Sequence, residues 1–338
     1  MFLLLLAFPQ IDMRPGWDLY VGGDIMLNGI SASRSPFREL SVPQSAVFIA
    51  NLEIPLTDTP ARTPRKTAAE IAARDQYVLK AAPGHAKHLA SANFDLLTLG
   101  NNHTMDGGVP GWQQNKRMLT SVGIVFCGAG DNVEEADSHA VTTAPDGTRM
   151  AVLSMLSFRN PGSNWKCGPA TETTPGISAI AYASHKREAR LEEFKKRVEK
   201  ARIDADLVIV MPHWGIEKQP LPSDVQVEMG RQWIDAGADF VMGSHPHVLQ
   251  PGELYKGKPI VYSLGNFINP GGGRAAIYKF RLDKTKILGL EILETRYSGH
   301  KVRVVPTGVA AFRSAEGALQ RRFSSKESKP LLGTLSQR

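Results

Sequence analysis

Polar side chains that could bind a metal ion follow several apolar segments of this sequence. The segment LGNNHTMDGG, residues 99–108, places two asparagines, a histidine and an aspartate directly behind an apolar run. Residues of the same types follow other apolar runs, and the full set is Asp24, Asn51, Glu53, Asn101, Asn102, His103, Asp106, His213, Glu217, His245, His247 and Asn266. Carboxylate and carbonyl oxygens together with imidazole nitrogens suit borderline divalent metals such as Mn, Fe, Co and Zn. The set therefore predicts a metal site.

Each of these residues taken alone also has an ordinary structural explanation. An aspartate at the end of a strand can cap a helix, an asparagine can close a turn, and a buried histidine can be a hydrogen-bonded core residue. Their joint occurrence at strand ends favours the metal site. The His-x-His arrangement of His245 and His247 can aim two imidazoles from one loop, and Gly243 permits close backbone approach before it.

The elements that must position these residues alternate along the chain. Apolar runs typical of buried strands occupy residues 17–24, 47–53, 94–103, 150–156, 206–215, 239–247 and 260–266. Helical patterns lie between them at residues 83–92, 110–122, 185–203 and 223–236. This alternation indicates an α/β fold, in which ligands bind at the carboxyl ends of the strands. After Asn269 successive strand patterns without helices predict an antiparallel flank on the same domain.

Composition and charge limit the classes of function. The chain has 338 residues, 42% of them hydrophobic, which is enough to bury a large core. Its net charge of +7 is concentrated in two segments. Residues 186–202 contain eight Lys or Arg against four Glu, and residues 313–338 contain six against two. Because the rest of the chain is close to neutral, we expect no nucleic-acid partner.

The sequence divides into three regions. Residues 1–16 form a leading segment whose apolar stretch is too short to span a bilayer and has no basic residues before it. Two interpretations of it stay open, the remnant of a signal peptide and a strand lying on the core. Residues 17–312 form one domain, and residues 313–338 a basic, flexible tail. Cys127 and Cys167 form no CxxC pair and predict neither a zinc finger nor a disulfide framework.

Six motifs in chain order give the sequence a family resemblance. GGDIML, ANLEIPLT, LGNNHTMDGG, MPHWGIE, GSHPHVLQP and VYSLGNFI resemble the CapA family of poly-γ-glutamate capsule synthesis proteins. That family is a branch of the calcineurin-like metallophosphoesterase superfamily. The resemblance covers about residues 18–270 and implies a four-layer α/β/β/α sandwich. It also implies a site for one or two divalent ions, such as Mn, Fe or Zn, at the strand ends.

The resemblance assigns roles residue by residue. It implies a first-metal set and a second-metal set that share one bridging carboxylate: Asp24, Glu53 and His247 for the first, and Glu53, Asn102, His213 and His245 for the second. It implies that His103 is a general acid, and Asp106 is placed to orient it. The remaining polar residues of the motifs are expected to position the ligands, and they are Asn51, Asn101, Glu217 and Asn266.

Three departures from the superfamily pattern bear on activity. The first motif, Asp-x-His in the superfamily, reads Asp24-Ile25-Met26, which replaces a nitrogen ligand by a soft thioether. The bridging residue is Glu53 where an aspartate is usual, and Thr104 stands where an acidic residue follows the motif histidine. Occupancy by two ions, by one tightly held ion or by none stays open.

Three functions stay open. The first is a metal-dependent hydrolase that acts on a phosphoester, or on an amide bond of a cell-surface polymer. The second is a capsule-assembly accessory that binds an anionic polymer such as poly-γ-glutamate without turnover. The third is a metal-independent acid/base enzyme, such as an epimerase, that uses His103. The resemblance favours an extracytoplasmic or membrane-associated location beside membrane-bound capsule synthesis machinery, and a cytoplasmic location stays open.

A long connection provides candidate substrate-binding residues. Residues 157–178 follow a predicted strand and emerge on the side of the predicted site, either as a lid or as a disordered insertion. Arg159, Trp165 and Lys166 in this connection could hold an anionic, extended substrate. Residues 57–80 could do the same from another edge with a second set of cations, Arg62, Arg65, Lys66 and Arg74.

Overall fold

The structure, a computed structural model, describes residues 16–158, 165–181 and 187–305. In these residues the helices are α1 (Ala68–Ala72), α2 (His85–Ser91), α3 (Gly108–Ser121), α4 (Val133–Asp137), α5 (Arg187–Asp204) and α6 (Asp224–Asp235), with one 3₁₀ turn at Trp165–Cys167. The strands are β1 (Trp17–Ile25), β2 (Ala46–Leu52), β3 (Leu96–Thr98), β4 (Val125–Cys127), β5 (Ala129–Gly130), β6 (Ala140–Thr143), β7 (Arg149–Phe158), β8 (Gly176–Ile177), β9 (Ala179–Ala181), β10 (Leu207–Trp214), β11 (Phe240–Met242), β12 (Gly252–Tyr255), β13 (Lys258–Val261), β14 (Asn266–Ile268), β15 (Arg274–Asp283), β16 (Lys286–Ser298) and β17 (Lys301–Val305).

The first large sheet has the strand order β17-β16-β15-β1-β2-β3-β4, and β14 pairs with the carboxyl end of β1. Strands β1 to β4 run parallel to one another, and β14 is parallel to β1. Strands β15, β16 and β17 are antiparallel neighbours beside β1, which confirms the predicted antiparallel flank. The parallel strands therefore end at one common edge, where their polar residues meet.

The second large sheet has the order β12-β13-β11-β10-β7-β6, and β9 pairs with β7. Its central strands β7, β10, β11 and β13 are parallel, whereas β6 and β12 are antiparallel strands at the two edges. Every residue of β10 is buried, as expected for a strand covered on both faces. The short strands β5 and β8 form a separate antiparallel pair.

Three apolar clusters form the core. One combines residues of both large sheets, for example Leu19 and Ile49 of the first with Val152 and Ile209 of the second. A second packs side chains of α2 and α3 against the first sheet, and a third packs α5 and α6 against the second sheet. The fold is thus mixed α/β, as predicted. The predicted helices and strands all have counterparts, and the strands predicted over residues 94–103 and 239–247 are observed only at Leu96–Thr98 and Phe240–Met242.

Strand β3 is much shorter than the predicted strand over residues 94–103. The chain turns at Gly100, where an added Cβ would lie 2.7 Å from the backbone of Met155. Only glycine permits this close approach between the loop and β7. The asparagines and His103 consequently lie in a turn behind the strand.

Several predictions fall on residues outside those the structure describes. They concern the leading segment up to residue 15, the loop residue Arg159, and the whole basic tail at residues 313–338. Among the helices of the described part, none is long and apolar enough to cross a membrane.

Candidate metal centre

Asp24 lies at the carboxyl end of β1 and is completely buried. Its register partners are Asn51 on β2 and Asn266 on β14. The Asn51 amide donates a hydrogen bond of 2.8 Å to one carboxylate oxygen of Asp24. The other carboxylate oxygen accepts a bond of 3.0 Å from the backbone N–H of His245. The parallel register and the loop after β11 thus fix the orientation of this carboxylate.

Glu53 follows β2 and is also completely buried. Neither of its carboxylate oxygens has a hydrogen-bond partner among the described residues. Its Oε1 atom lies 3.5 Å from Nε2 of His247 and 3.8 Å from Nε2 of His213. Burial, and then the charge of Asp24, raise the pKa of Glu53 well above its usual range, although His247 opposes the shift. Glu53 therefore lies between two imidazoles without a donor that satisfies it.

Two further ligand atoms lie beside Nε2 of His213, which is near the end of β10. The amide oxygen of Asn102 is 2.8 Å away, and Nδ1 of His245 is 3.1 Å away. On the opposite side of the ring, Nδ1 of His213 lies 2.9 Å from the hydroxyl of Ser244. Burial and neighbouring imidazoles hold the pKa values of His213 and His245 well below the usual range. Both rings are therefore neutral and retain lone pairs for a metal.

His245 and His247 lie in a tight loop after β11. Both have left-handed backbone conformations, with φ of 96° and 56°. His247 Nδ1 lies 2.7 Å from the amide oxygen of Asn266 and 3.6 Å from Asp24. Burial alone would lower the pKa of His247, but the carboxylates of Glu53 and Asp24 outweigh it and raise the pKa to about 10. Gly243 is required before this loop, since a Cβ there would lie 2.3 Å from the carbonyl oxygen of Tyr262.

These residues fit a divalent cation. Ligand atoms of Asp24, Glu53 and His247 all lie within 4.8 Å of one another. A buried carboxylate without hydrogen bonds costs several kcal/mol unless a counter-charge compensates it. Burial is the main cause of the raised pKa of Glu53, and the charges of Glu53 and Asp24 raise that of His247, so two carboxylates share a dry pocket. A cation would compensate that charge, and the neutral imidazoles nearby are nitrogen ligands of the kind Mn, Fe and Zn accept.

His103 and Asp106 lie beside this centre in the turn after β3. His103 Nδ1 is 2.7 Å from a carboxylate oxygen of Asp106, and that oxygen also accepts a bond of 2.7 Å from the backbone N–H of Leu79. The second oxygen of Asp106 pairs with the ammonium group of Lys66, which is buried. Sequence reasoning treated Lys66 only as a possible substrate-binding cation and missed this pairing, because the two residues are 40 positions apart.

Asn101 and Thr104 shape the same turn. The Asn101 amide donates to the carbonyl oxygen of Leu52 and to the side chain of Asn51. Its own oxygen accepts from the backbone N–H groups of His103 and Thr104. The Thr104 hydroxyl donates to the carbonyl oxygen of Leu99. Thr104, which replaces the acidic residue of the superfamily pattern, therefore closes the turn.

Three other predicted site residues lie within the described part of the chain. Glu217 is exposed on the loop that follows β10. The Lys166 ammonium pairs with Glu70 of α1, so this cation already has a counter-charge in the protein. Trp165 belongs to the same 3₁₀ turn as Lys166.

Comparison with known proteins identifies the family of this chain. The model of the family described as bacterial capsule synthesis protein PGA_cap matches residues 18–271. The chain belongs to this family. The predicted resemblance to CapA proteins is confirmed, and the family is a member of the metallophosphoesterase-like superfamily.

Individual relatives carry names from capsule synthesis. The chain is 35% identical to PGA biosynthesis protein CapA of Bacillus subtilis over 54% of its own length and 44% of the relative. It is 33% identical to capsule biosynthesis protein CapA of Bacillus anthracis over 56% of its length and 44% of the relative. A probable polyglutamine synthesis accessory protein of Mycobacterium tuberculosis is 25% identical over 75% of this chain and 69% of that protein. The matched region thus spans less than half of either Bacillus relative.

Among solved structures, a hypothetical protein from Thermus thermophilus aligns with a TM-score of 0.46 and 13% identity. The alignment covers 83% of this chain and 100% of that chain.

Proposed function

We propose that this chain is a metal-dependent hydrolase that acts on an anionic cell-surface polymer during capsule synthesis, with poly-γ-glutamate as the leading substrate. One observation carries the proposal: the buried Glu53 carboxylate has no hydrogen-bond donor among the described residues and lies between His213 and His247. The names of the Bacillus relatives, which refer to PGA and capsule biosynthesis, support the choice of polymer. A phosphoester in the same machinery is the alternative substrate.

Two overlapping sets of residues would hold the metal. Asp24, Glu53 and His247 form one set, whose ligand atoms lie close together. The second set surrounds Nε2 of His213 and consists of Glu53, Asn102, His213 and His245. Glu53 belongs to both sets because its Oε1 atom lies between the two imidazoles. A bound divalent ion would supply Lewis acidity and neutralise negative charge at the reacting bond.

The other residues of the site position groups and move a proton. Asp106 accepts the Nδ1 proton of His103, which leaves Nε2 of His103 to protonate a leaving group. Ser244 and Asn266 orient the rings of His213 and His247 through their second nitrogen atoms. Because the rings are fixed before substrate binds, little reorganisation is needed during the reaction.

The proposal includes the layer order α/β/β/α. Three observations support it: one apolar cluster joins the two large sheets, and each sheet has a further cluster with helices on its other face. In this order the parallel strands of both sheets end at one edge, which is where the ligand residues lie.

We propose further that the protein works outside the cytoplasm, beside membrane-bound capsule synthesis machinery. The support is the capsule-related names of its relatives. Because the chain matches only 44% of each Bacillus protein, functions of the rest of those proteins do not transfer to it.

A second candidate function is binding of the same polymer without turnover. The specific observation in its favour is Met26, which offers a thioether where the superfamily pattern has a histidine ligand. A weakly held first ion would permit binding and reduce catalysis.

Elemental analysis and a hydrolase assay together test the proposal. Protein purified without added metal is analysed for Mn, Fe and Zn, and then assayed on poly-γ-glutamate and on a chromogenic phosphoester with and without Mn. We expect bound metal and metal-dependent cleavage, both lost in Glu53→Gln. Glu228→Gln is the matched control, since Glu228 is an exposed carboxylate of α6 bonded to Gln232. Metal without turnover would favour the binding function, and a protein that takes up no metal would refute the metal-dependent hydrolase.

A further inference from the structure

A second group of possible ligands extends the centre toward solvent. Ligand atoms of Glu217, His245 and His247 all lie within 4.8 Å of one another. His247 therefore belongs both to this group and to the group with Asp24 and Glu53. Within the described residues, Glu217 has no ion pair or side-chain hydrogen bond that would direct its carboxylate elsewhere.

The loop that carries Glu217 is attached to the histidine loop through its backbone. The N–H of Lys218 donates a hydrogen bond of 2.8 Å to the carbonyl oxygen of Pro246, which stands between His245 and His247. Glu217 immediately precedes this anchor, although its side chain is exposed. This contact fixes the backbone of Glu217 beside the histidine loop, within side-chain reach of both imidazoles.

Two buried glutamines, Gln226 and Gln250, also hold the loop that carries Glu217. The Gln250 amide donates to the carbonyl oxygens of Gln219 and Leu221, and its oxygen accepts from Gln226. At the start of the loop, Gly215 adopts φ of 88°, and a Cβ there would lie 2.8 Å from the Gln226 side chain. Two buried side chains and one glycine thus fix a short loop whose only acidic residue is Glu217.

From this geometry we propose that Glu217 is a direct ligand of the divalent ion held at His247. This inference depends on the proposed metal centre and adds a third carboxylate to it. Ligand atoms of Glu217 lie close to those of His245 and His247, and within the described residues they do not form one group with those of Asp24 and Glu53. An ion held by His247 on its solvent side, beside His245, would therefore take Glu217 as its carboxylate ligand.

Zinc titration and crystallography test the inference. Chelator-treated wild type, Glu217→Gln and the control Glu228→Gln are titrated calorimetrically with Zn²⁺. We expect Glu217→Gln to weaken one class of sites by more than about 100-fold, because changing a residue outside the ligand set already costs about 10–100-fold. The other class, and both classes in Glu228→Gln, should match wild type. A crystal structure with Zn²⁺ should show a Glu217 oxygen about 2.0–2.2 Å from the ion.

The outcomes separate this inference from the proposed function. Wild type that binds no Zn²⁺ would refute the metal centre and this inference together. Zinc binding that is unchanged in Glu217→Gln would refute the ligand role of Glu217 alone. A loss of affinity with the carboxylate outside bonding distance in the crystal would also refute that role, and would show that Glu217 acts only through its charge.

Discussion

The Nδ1 atom of His103 lies 2.7 Å from a carboxylate oxygen of Asp106, three residues further along the chain. Asp106 is in turn held by Lys66 and by the backbone N–H of Leu79, so three separate segments fix one imidazole ring. Such a ring can transfer a proton at its other nitrogen without first being reoriented. Substitution of His103 or Asp106 is therefore the most direct way to distinguish a catalytic function from a binding function.

Replacement of His103 tests that distinction. We expect His103→Ala to reduce turnover by about 10²–10⁴-fold, the usual contribution of a general acid, while metal content stays equal to wild type. Steady-state assays and elemental analysis on the same preparation measure both quantities. If His103 only closes the turn, the variant would instead unfold at a lower temperature with its turnover retained.

Lys66 should make a large contribution to stability. Its ammonium and the Asp106 carboxylate are both buried, and removal of one partner leaves a buried charge without compensation. We expect Lys66→Met to lower the free energy of unfolding by about 3–5 kcal/mol. Urea unfolding at a fixed metal concentration measures this change.

The matched control for Lys66 is Lys116→Met. Lys116 pairs with Asp131 on the surface, and the two side chains are 32% and 38% exposed. Exposed pairs contribute about 0–1 kcal/mol, so this variant should remain close to wild type. Equal losses in the two variants would contradict the special role of the buried pair.

The two metal positions should differ in affinity. The set around His213 combines Glu53 with three neutral ligands. The set of Asp24, Glu53 and His247 has one nitrogen ligand fewer than the superfamily pattern, because Met26 replaces a histidine. We expect calorimetric titration with Mn²⁺ to resolve a tight class and a weaker class of sites. Asn102→Ala should affect the tight class first. Two equally tight classes in wild type would be incompatible with this expectation.

His85 should make the fold sensitive to acid. Burial lowers the pKa of His85, and its Nε2 atom lies 3.0 Å from the carbonyl oxygen of Ile30. As pH falls below about 6.5, the unfolded chain binds a proton that the folded state resists, so stability decreases toward the lowered pKa of the folded state. His85→Gln keeps an N–H donor and should flatten this decrease. Urea unfolding between neutral and mildly acidic pH measures it, with the exposed His300→Gln as control.

Much of the fold could be predicted because its signals are local. Buried strands such as β1 and β10 are continuous apolar runs, and polar residues mark their carboxyl ends. The same pattern predicted that Asp24, His213 and His247 would lie near one another. In the structure their side chains surround Glu53.

Other features depend on contacts that no local pattern encodes. Lys66 lies in a polar stretch typical of a surface loop, and its burial follows only from the distant Asp106. The left-handed backbone of His245 and His247 is equally unpredictable, because histidine rarely adopts that conformation. From the sequence alone Glu217 is an ordinary loop residue, because the backbone contact between Lys218 and Pro246 is not encoded in any local pattern.

The position of β1 between β2 and β15 determines when the site can form. Asp24 is aligned with Asn51, which is close in sequence, and with Asn266, which follows more than two hundred residues later. Contacts between such distant segments are slow to form, because the intervening chain must first be ordered. During synthesis one edge of β1 therefore stays unpaired until β14 and β15 have emerged from the ribosome. Until then that edge can pair with other chains. A site built around the first strand of the sheet therefore exposes the unfinished chain to aggregation until its last strands have been made.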